Sequence, residues 1–364
     1  MASIYKTIRS EDIASTRTVL HEAIPLTGTI VSGTYGTFGS EGNIKNYAHG
    51  MFQSVYDYPY LSSSANHIFD ITLGFSNESA LSSSTTSQQA KKQNIYNQMA
   101  QVLMGYDKSG VIQKFDSDGN LFDTTADKMN DCIFLNFSRL LVKDELQKGT
   151  FNLELGVSGA FHFAFNGGGN PGEGGRISLK DTGASSDYRV NSPTGEYGIL
   201  YVSNSFGLPL NGAIFDPTYG GTDKKAAGLI FYQAGVAVLT SSIFQASDIG
   251  GFLSSSVQWN TNGEFITASY TGSTIQSSAD SLRHRMYNLS FNNSIELNST
   301  IYFCHLGANE FNYSSNPTYL SGSQIRVKAQ STDDPVSYLT TVGLYSSDNQ
   351  LMATAKLSEP IKKT

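Results

Sequence analysis

Much of the chain reads as short runs of β-favouring residues separated by turn formers, and in some of them side chains divide between two faces with a period of two. His67 to Phe75 shows it cleanly: Ile68, Asp70, Thr72 and Gly74 oppose Phe69, Ile71, Leu73 and Phe75. From Thr150 onward FNLELGV, AFHFAF, YGILYVS, GLIFYQAGVAVLT, SSVQWN, EFITASY, NLSFNN, TIYFCHL and QIRVKA read as strands, separated by Gly, Ser, Asn and Asp. Two last runs, residues 338–345 and 351–357, flank the turn formers Ser346, Ser347, Asp348, Asn349 and Gln350, which predicts a hairpin. In it Tyr338, Thr340, Val342 and Leu344 share one face, with Gly343 between the last two. Leu351, Ala353, Ala355 and Leu357 share a face of the return strand, and Pro360, lacking an N–H, is expected to stop the ladder. A hairpin is marginal alone, so this one must be completed by more strands or by a neighbour. The predicted fold is mainly β, an antiparallel sandwich or barrel-like body. No fixed-period repeat supports a solenoid or propeller.

A helical rhythm stands out in one segment. Residues 88–104 place Ile95, Met99, Val102 and Leu103 on one face, with Gly105 as the stop. The spacing of Phe52, Val55 and Tyr56 fits a shorter helix within residues 48–60, ended by Pro59. Ser10, Glu11 and Asp12 either cap a helix over residues 13–20 or lead an extended arm, and residues 27–37 read as a strand. Residues 107–127 form a polar, turn-rich excursion, and residues 133–142 a buried apolar run. The chain therefore divides into an N-terminal arm with the first strand (1–50), a mixed region (51–149), a β-rich body (150–334) and the C-terminal hairpin (335–364). A single domain comprising all four remains open at 364 residues.

Composition changes the picture in one respect. Charged residues are only 15% of the chain, well under the usual quarter, so Ser, Thr, Asn and Gly must make much of the surface. Neutral polar groups cost less to desolvate than charges, which suits a surface that is covered by a partner. Net charge is −7, and the basic pairs Lys91-Lys92, Lys224-Lys225 and Lys362-Lys363 read as solvated surface, so direct nucleic-acid binding is not expected. No apolar stretch resembles a signal peptide or a membrane span. Cys132 and Cys304, in DCIFLNF and IYFCHL, read as buried free thiols, with a disulfide between them as the alternative.

Candidate chemistry is sparse. Asp116, Asp118 and Asn120 begin like a calcium loop, but Leu121 and Asp127 stand where Gly and Glu are required, so an Asp-Gly turn is the reading. The Gly-dense residues 166–175 precede no helix and read as a loop at a subunit contact. His21, His49, His67, His162, His284 and His305 lack metal-ligand spacing, and His162, among phenylalanines, reads as a core histidine. Nucleophile elbow, Cys-x-x-Cys and Walker loop are missing, and Asp216, Asp333 and Asp334 lie in turn contexts. No enzyme, cofactor or metal is expected.

The C-terminal hairpin, with "-VGLY-", an Asp/Asn turn, "-LMATAKL-" and a proline-containing exit, resembles a hairpin of tailed-bacteriophage virion proteins. TRTVLHEAIPLTGTIVSGTYG (16–36) and AHGMFQSVYDYPYLSSSANHIFDITLG (48–74) are similar to structural proteins of large contractile-tailed phages. The resemblance implies a non-enzymatic virion component made in the host bacterial cytoplasm, in the tail, baseplate or neck. A receptor- or carbohydrate-binding fibre module, to which 20 Tyr, 21 Phe and Trp259 could offer stacking faces, and a capsid decoration protein are the alternatives. Its partners would be other virion proteins and copies of itself in a symmetric assembly, without nucleic acid or membrane. The N-terminal arm and hairpin residues Tyr338, Val342, Leu344, Tyr345, Leu351, Ala353, Ala355 and Leu357 are the expected contacts.

Overall fold

The computed structural model describes residues 5–31, 34–36, 40–79, 82, 86–121, 128–156, 176–204, 226–244, 274–307, 310–311, 318, 320–322, 324–325, 332 and 336–363. The chain forms two compact units: Met1–Arg17 with Asn298–Thr364 (the terminal unit), and Thr18–Leu297 (the body). The elements are β1 (Ile13–Thr27), α1 (Gly28–Val31), β2 (Ile44–Asn46), β3 (Gln53–Tyr56), β4 (His67–Phe75), α2 (Ser87–Leu103), β5 (Asp131–Phe137), α3 (Arg139–Val142), β6 (Glu145–Leu146), β7 (Asn152–Gly156), β8 (Arg176–Lys180), β9 (Arg189–Ser192) and β10 (Gly195–Asn204). They continue with β11 (Ala226–Phe231), β12 (Val236–Thr240), α4 (Ile275–Arg285), β13 (Met286–Tyr302), β14 (Leu320–Ser321), β15 (Gln324–Ile325), β16 (Ser337–Tyr345) and β17 (Leu351–Lys363).

Among the described residues, β1 to β13 join one 13-stranded sheet in the order β1-β13-β7-β8-β10-β11-β12-β5-β4-β3-β2, with β6 on β13 and β9 on β10. Its centre is apolar on both faces: β11 (AAGLIF) and β12 (VAVLT) are buried at every residue. Such runs lack alternation because neither face meets water. The sheet also curls. Phe137 of β5 packs its ring 5.1 Å from Phe291 of β13 and 6.0 Å from Phe151 beside β7, strands distant in sheet order. The mainly β, antiparallel, sandwich-like body predicted from the spacing of the β-favouring runs is the fold found.

Helix α2 covers β4. Thr86 caps it: its hydroxyl accepts from Gln89 N–H while Gln89 Oε1 accepts from Thr86 N–H. A Cβ at Gly74 would lie 2.5 Å from Lys92 O and 2.7 Å from Tyr96 N, so only glycine lets the helix approach this strand so closely. The buried face is Gln89, Lys92, Ile95, Tyr96, Ala100 and Leu103, whereas Val102, predicted on it, is 60% exposed.

Several expectations give way. Residues within 48–60 form β3, not a helix: Gln53 and Ser54 are buried as ladder residues between β2 and β4, which the spacing of the apolar residues does not reveal. Where a strand is predicted over residues 27–37, Thr27 ends β1 and Gly28–Val31 form α1. The extended alternative holds for residues 13–20, which lie in β1 after a single 3-10 turn. GLIFYQAGVAVLT is two strands about a turn, with Gly235 at φ +68° and its N–H on Phe231 O. NLSFNN and the start of TIYFCHL merge into β13. Lys92 and Lys363 are buried rather than solvated, because consecutive residues of a helix or strand face different ways. Cys132 is a buried free thiol; Cys304 is free but exposed, beyond the end of β13. AFHFAF with His162, SSVQWN, EFITASY, residues 166–175, Lys224-Lys225, Asp216, Trp259, Asp333 and Asp334 lie outside the described residues, as does most of QIRVKA.

Asp181, just past the end of β8, ties the chain before β7 to the residue after β11. Its carboxylate accepts from Gly149 N–H (2.6 Å), Phe151 N–H (3.0 Å) and Tyr232 O–H (3.0 Å). Burial raises its pKa from 3.8 to about 6 despite those three donors. Below pH 4 both folded and unfolded states hold the proton. Between 4 and 6 only the folded state holds it, so this group's contribution to stability falls as pH rises. Urea melts should show the chain losing up to about 3 kcal/mol from this group between pH 4 and pH 7. Asp181→Asn, less stable throughout, should lack that part of the slope.

Candidate assembly surface

In the terminal unit, β16 and β17 pair only with each other among the described residues, so both outer edges of the hairpin stay unpaired. Six of the eight hairpin residues named from sequence are brought together by a ladder pairing Val342 with Ala355, Leu344 with Ala353 and Tyr345 with Leu351. Residues 346–350 close it: Asn349, at φ +58°, donates its N–H to Ser346 O (3.1 Å), and Ser346 N–H donates to Gln350 O (2.9 Å). Asparagine tolerates this left-handed position better than most residues.

Two irregularities correct the predicted faces. Met352 is an extra residue between Ala353 and Leu351, so Leu351 lies with Tyr345 on the face opposite Ala353. There the side chains of Tyr345 and Leu351 close over Gly343. Pro360 does not stop the ladder. Residues 357–360 bulge between the pairs Thr341–Lys356 and Leu339–Ile361, which removes the need for a proline N–H, and β17 runs on to Lys363. Leu357, in that bulge, is half-buried, and so is Leu344; Tyr338 lies farther along, opposite Lys362.

Apolar side chains therefore stand on both faces: Val342 is 45% exposed, Leu351 52%, Met352 68% and Ile361 55%. The N-terminal arm contributes to the same unit. Tyr5 packs its ring 4.9 Å from that of Tyr345, Lys6 Nζ lies 2.7 Å from both Glu310 carboxylate oxygens, and Phe303 N–H donates to Asp12 O at 2.8 Å. The Lys6 hydrogen bond, helped by Gly307 N–H, holds Glu310 below the usual carboxylate range. Exposed pairs of this kind add little stability. Among the described residues, every buried hydrophobic side chain belongs to the body and none to the terminal unit. Sheets without a core require something else to cover them.

Among the described residues the candidate reactive groups named from sequence are held in other arrangements. Asp116 and Asp118 form successive Asx turns around Gly119 (φ +70°), and Lys128 pairs with Asp116. Ser54, Asp70 and His67 meet, but Ser54 donates to Asp70 and His67 Nε2 lies 2.7 Å from the same carboxylate oxygen. A nucleophile needs the imidazole between serine and carboxylate, so this order activates nothing. His21 bonds Ser294, His49 Nδ1 accepts from Met51 N–H, and His305 pairs with Asp12. Among the described residues no group of three His, Cys, Asp or Glu could hold a metal ion, and no helix is long and apolar enough to cross a membrane. Compared with protein-family models, curated proteins and solved structures, the chain matches none.

Proposed function

We propose that the chain is a structural subunit of a tailed-bacteriophage virion, in the tail, baseplate or neck, and that it acts by docking its terminal unit on neighbouring virion proteins and on copies of itself. The sequence resemblance supports the setting. The observation that carries the docking role is the terminal unit's exposed apolar hairpin with two open edges and no buried hydrophobic side chain among its described residues. Strand addition supplies hydrogen bonds to such an edge, and side chains flanking it supply apolar contact. Symmetry multiplies modest contacts into a stable particle. Removing residues 335–364 tests the reading. The body's core lies within Thr18–Leu297, so the truncated chain should fold, melt cooperatively and be excluded from particles. An unfolded truncated chain, or one incorporated normally, overturns it.

A further inference from the structure

A cavity of about 390 Å³ opens in the body between β2, residues 59–61 and α4. Its walls include Glu41, Asn46, Tyr60, Leu61, Asp280 and Arg283. Behind them Gln53, fully buried, gives one amide hydrogen to Asn46 Oδ1 and the other to Asp280 Oδ1, both at 2.8 Å, and accepts from Arg283 Nε at 2.8 Å. Arg283, also fully buried, donates to Val31 O, Glu41 and Asp280 Oδ1. This network fixes which atom each wall residue has spare. Asn46 keeps its Nδ2 donor and Asp280 its Oδ2 acceptor without a hydrogen-bond partner among the described residues, while Asp280 remains 27% exposed.

A donor beside an acceptor is the complement of a hydroxyl group, which both accepts and donates. Tyr60 adds a half-buried ring, with the Lys45 ammonium 5.8 Å and the Tyr56 ring 6.1 Å from its centre. The one cation among the lining residues, Arg283, is committed to Val31 O, Glu41 and Asp280, so the walls hold no spare guanidinium for a phosphate or carboxylate ligand. The volume sits at the low end for small-molecule sites, roughly 300–1,000 Å³. We infer that this cavity binds a neutral saccharide unit, its hydroxyls held by Asn46 Nδ2 and Asp280 Oδ2 and its C–H face against Tyr60. The inference uses only the body and stands apart from the docking role of the terminal unit.

The test is an array of neutral and sialylated glycans probed with the full chain, followed by calorimetric titration with the methyl glycoside of the best neutral hit. A neutral glycan should bind. Tyr60→Ala should weaken it about tenfold and Tyr60→Phe should retain it. Asp280→Asn, which keeps the acceptor for Gln53 and Arg283 but turns a donor toward the ligand, should weaken it by at least about tenfold. Should either variant fail to fold, hydrogen exchange of the unsubstituted chain decides: saturating glycoside should slow exchange at residues 44–46 and 59–61. Absence of any neutral hit, capture of sialylated glycans only, unchanged affinity in both Tyr60→Ala and Asp280→Asn, or unchanged exchange at those residues overturns the inference. Each of those failures leaves the assembly reading untouched.

Discussion

Arg283→Ala is expected to destabilise the chain by about 3–5 kcal/mol, the cost of breaking a buried ion pair by removing one partner. The side chain is wholly buried and bonded to four acceptors: Gln53 Oε1, Val31 O, Glu41 and Asp280. Truncation would take a buried cation away from Glu41, whose own side chain is 1% exposed, and would release α4 from β3 and from the chain after β1. Against a total stability of 5–15 kcal/mol such a loss is large. Arg283→Lys should not rescue it, since one ammonium with three donors cannot span the positions a guanidinium fork reaches. Urea melts provide the measurement: the midpoint should fall with the slope unchanged. A loss under about 1 kcal/mol would show that the surrounding packing, rather than this network, holds α4 in place.

That network also explains what the sequence left illegible. β4 was plain because Phe69, Ile71, Leu73 and Phe75 recur at every second residue, and the C-terminal hairpin because turn formers separate two β-favouring runs. Helix α4 is poorly legible in the sequence although Ile275, Ala279, Leu282 and Met286 share helical spacing and are all buried. Its buried side also holds Arg283 and Arg285, residue types that read as solvated until their partners from distant segments are known. Gln53 and Ser54 concealed β3 for the same reason. Lys92 is the mirror case: a helical lysine whose burial lowers its pKa to about 8. At the candidate surface the apolar residues were legible, but their faces were not. The offset at Met352 and the bulge around Pro360 shift the alternation, and a one-residue shift moves a side chain to the other face. That no described hydrophobic residue of the terminal unit is buried was hidden as well, because that unit joins the two ends of the chain.

Val342→Glu and Leu351→Glu, each alone, are expected to leave the isolated chain folded and to reduce its incorporation into particles sharply. The two sites probe opposite faces of the hairpin, Val342 beside Ala355 and Leu351 beside Tyr345. Both are about half exposed in the free chain, so a carboxylate there stays hydrated and the folding cost should remain within roughly 0.5 kcal/mol. In a docked hairpin the same carboxylate loses water without gaining a cation, at a cost of several kcal/mol per subunit. Each 1.4 kcal/mol lost is about tenfold in affinity, and a symmetric ring repeats the penalty at every subunit. Particles assembled in cells that supply only the variant chain would be purified and the chain quantified by mass spectrometry, beside thermal melts of the free protein. If only one variant is excluded, the occupied face is identified. If both fold and both enter particles at the normal level, the hairpin is no docking surface, and the terminal unit must owe its order to something other than a partner.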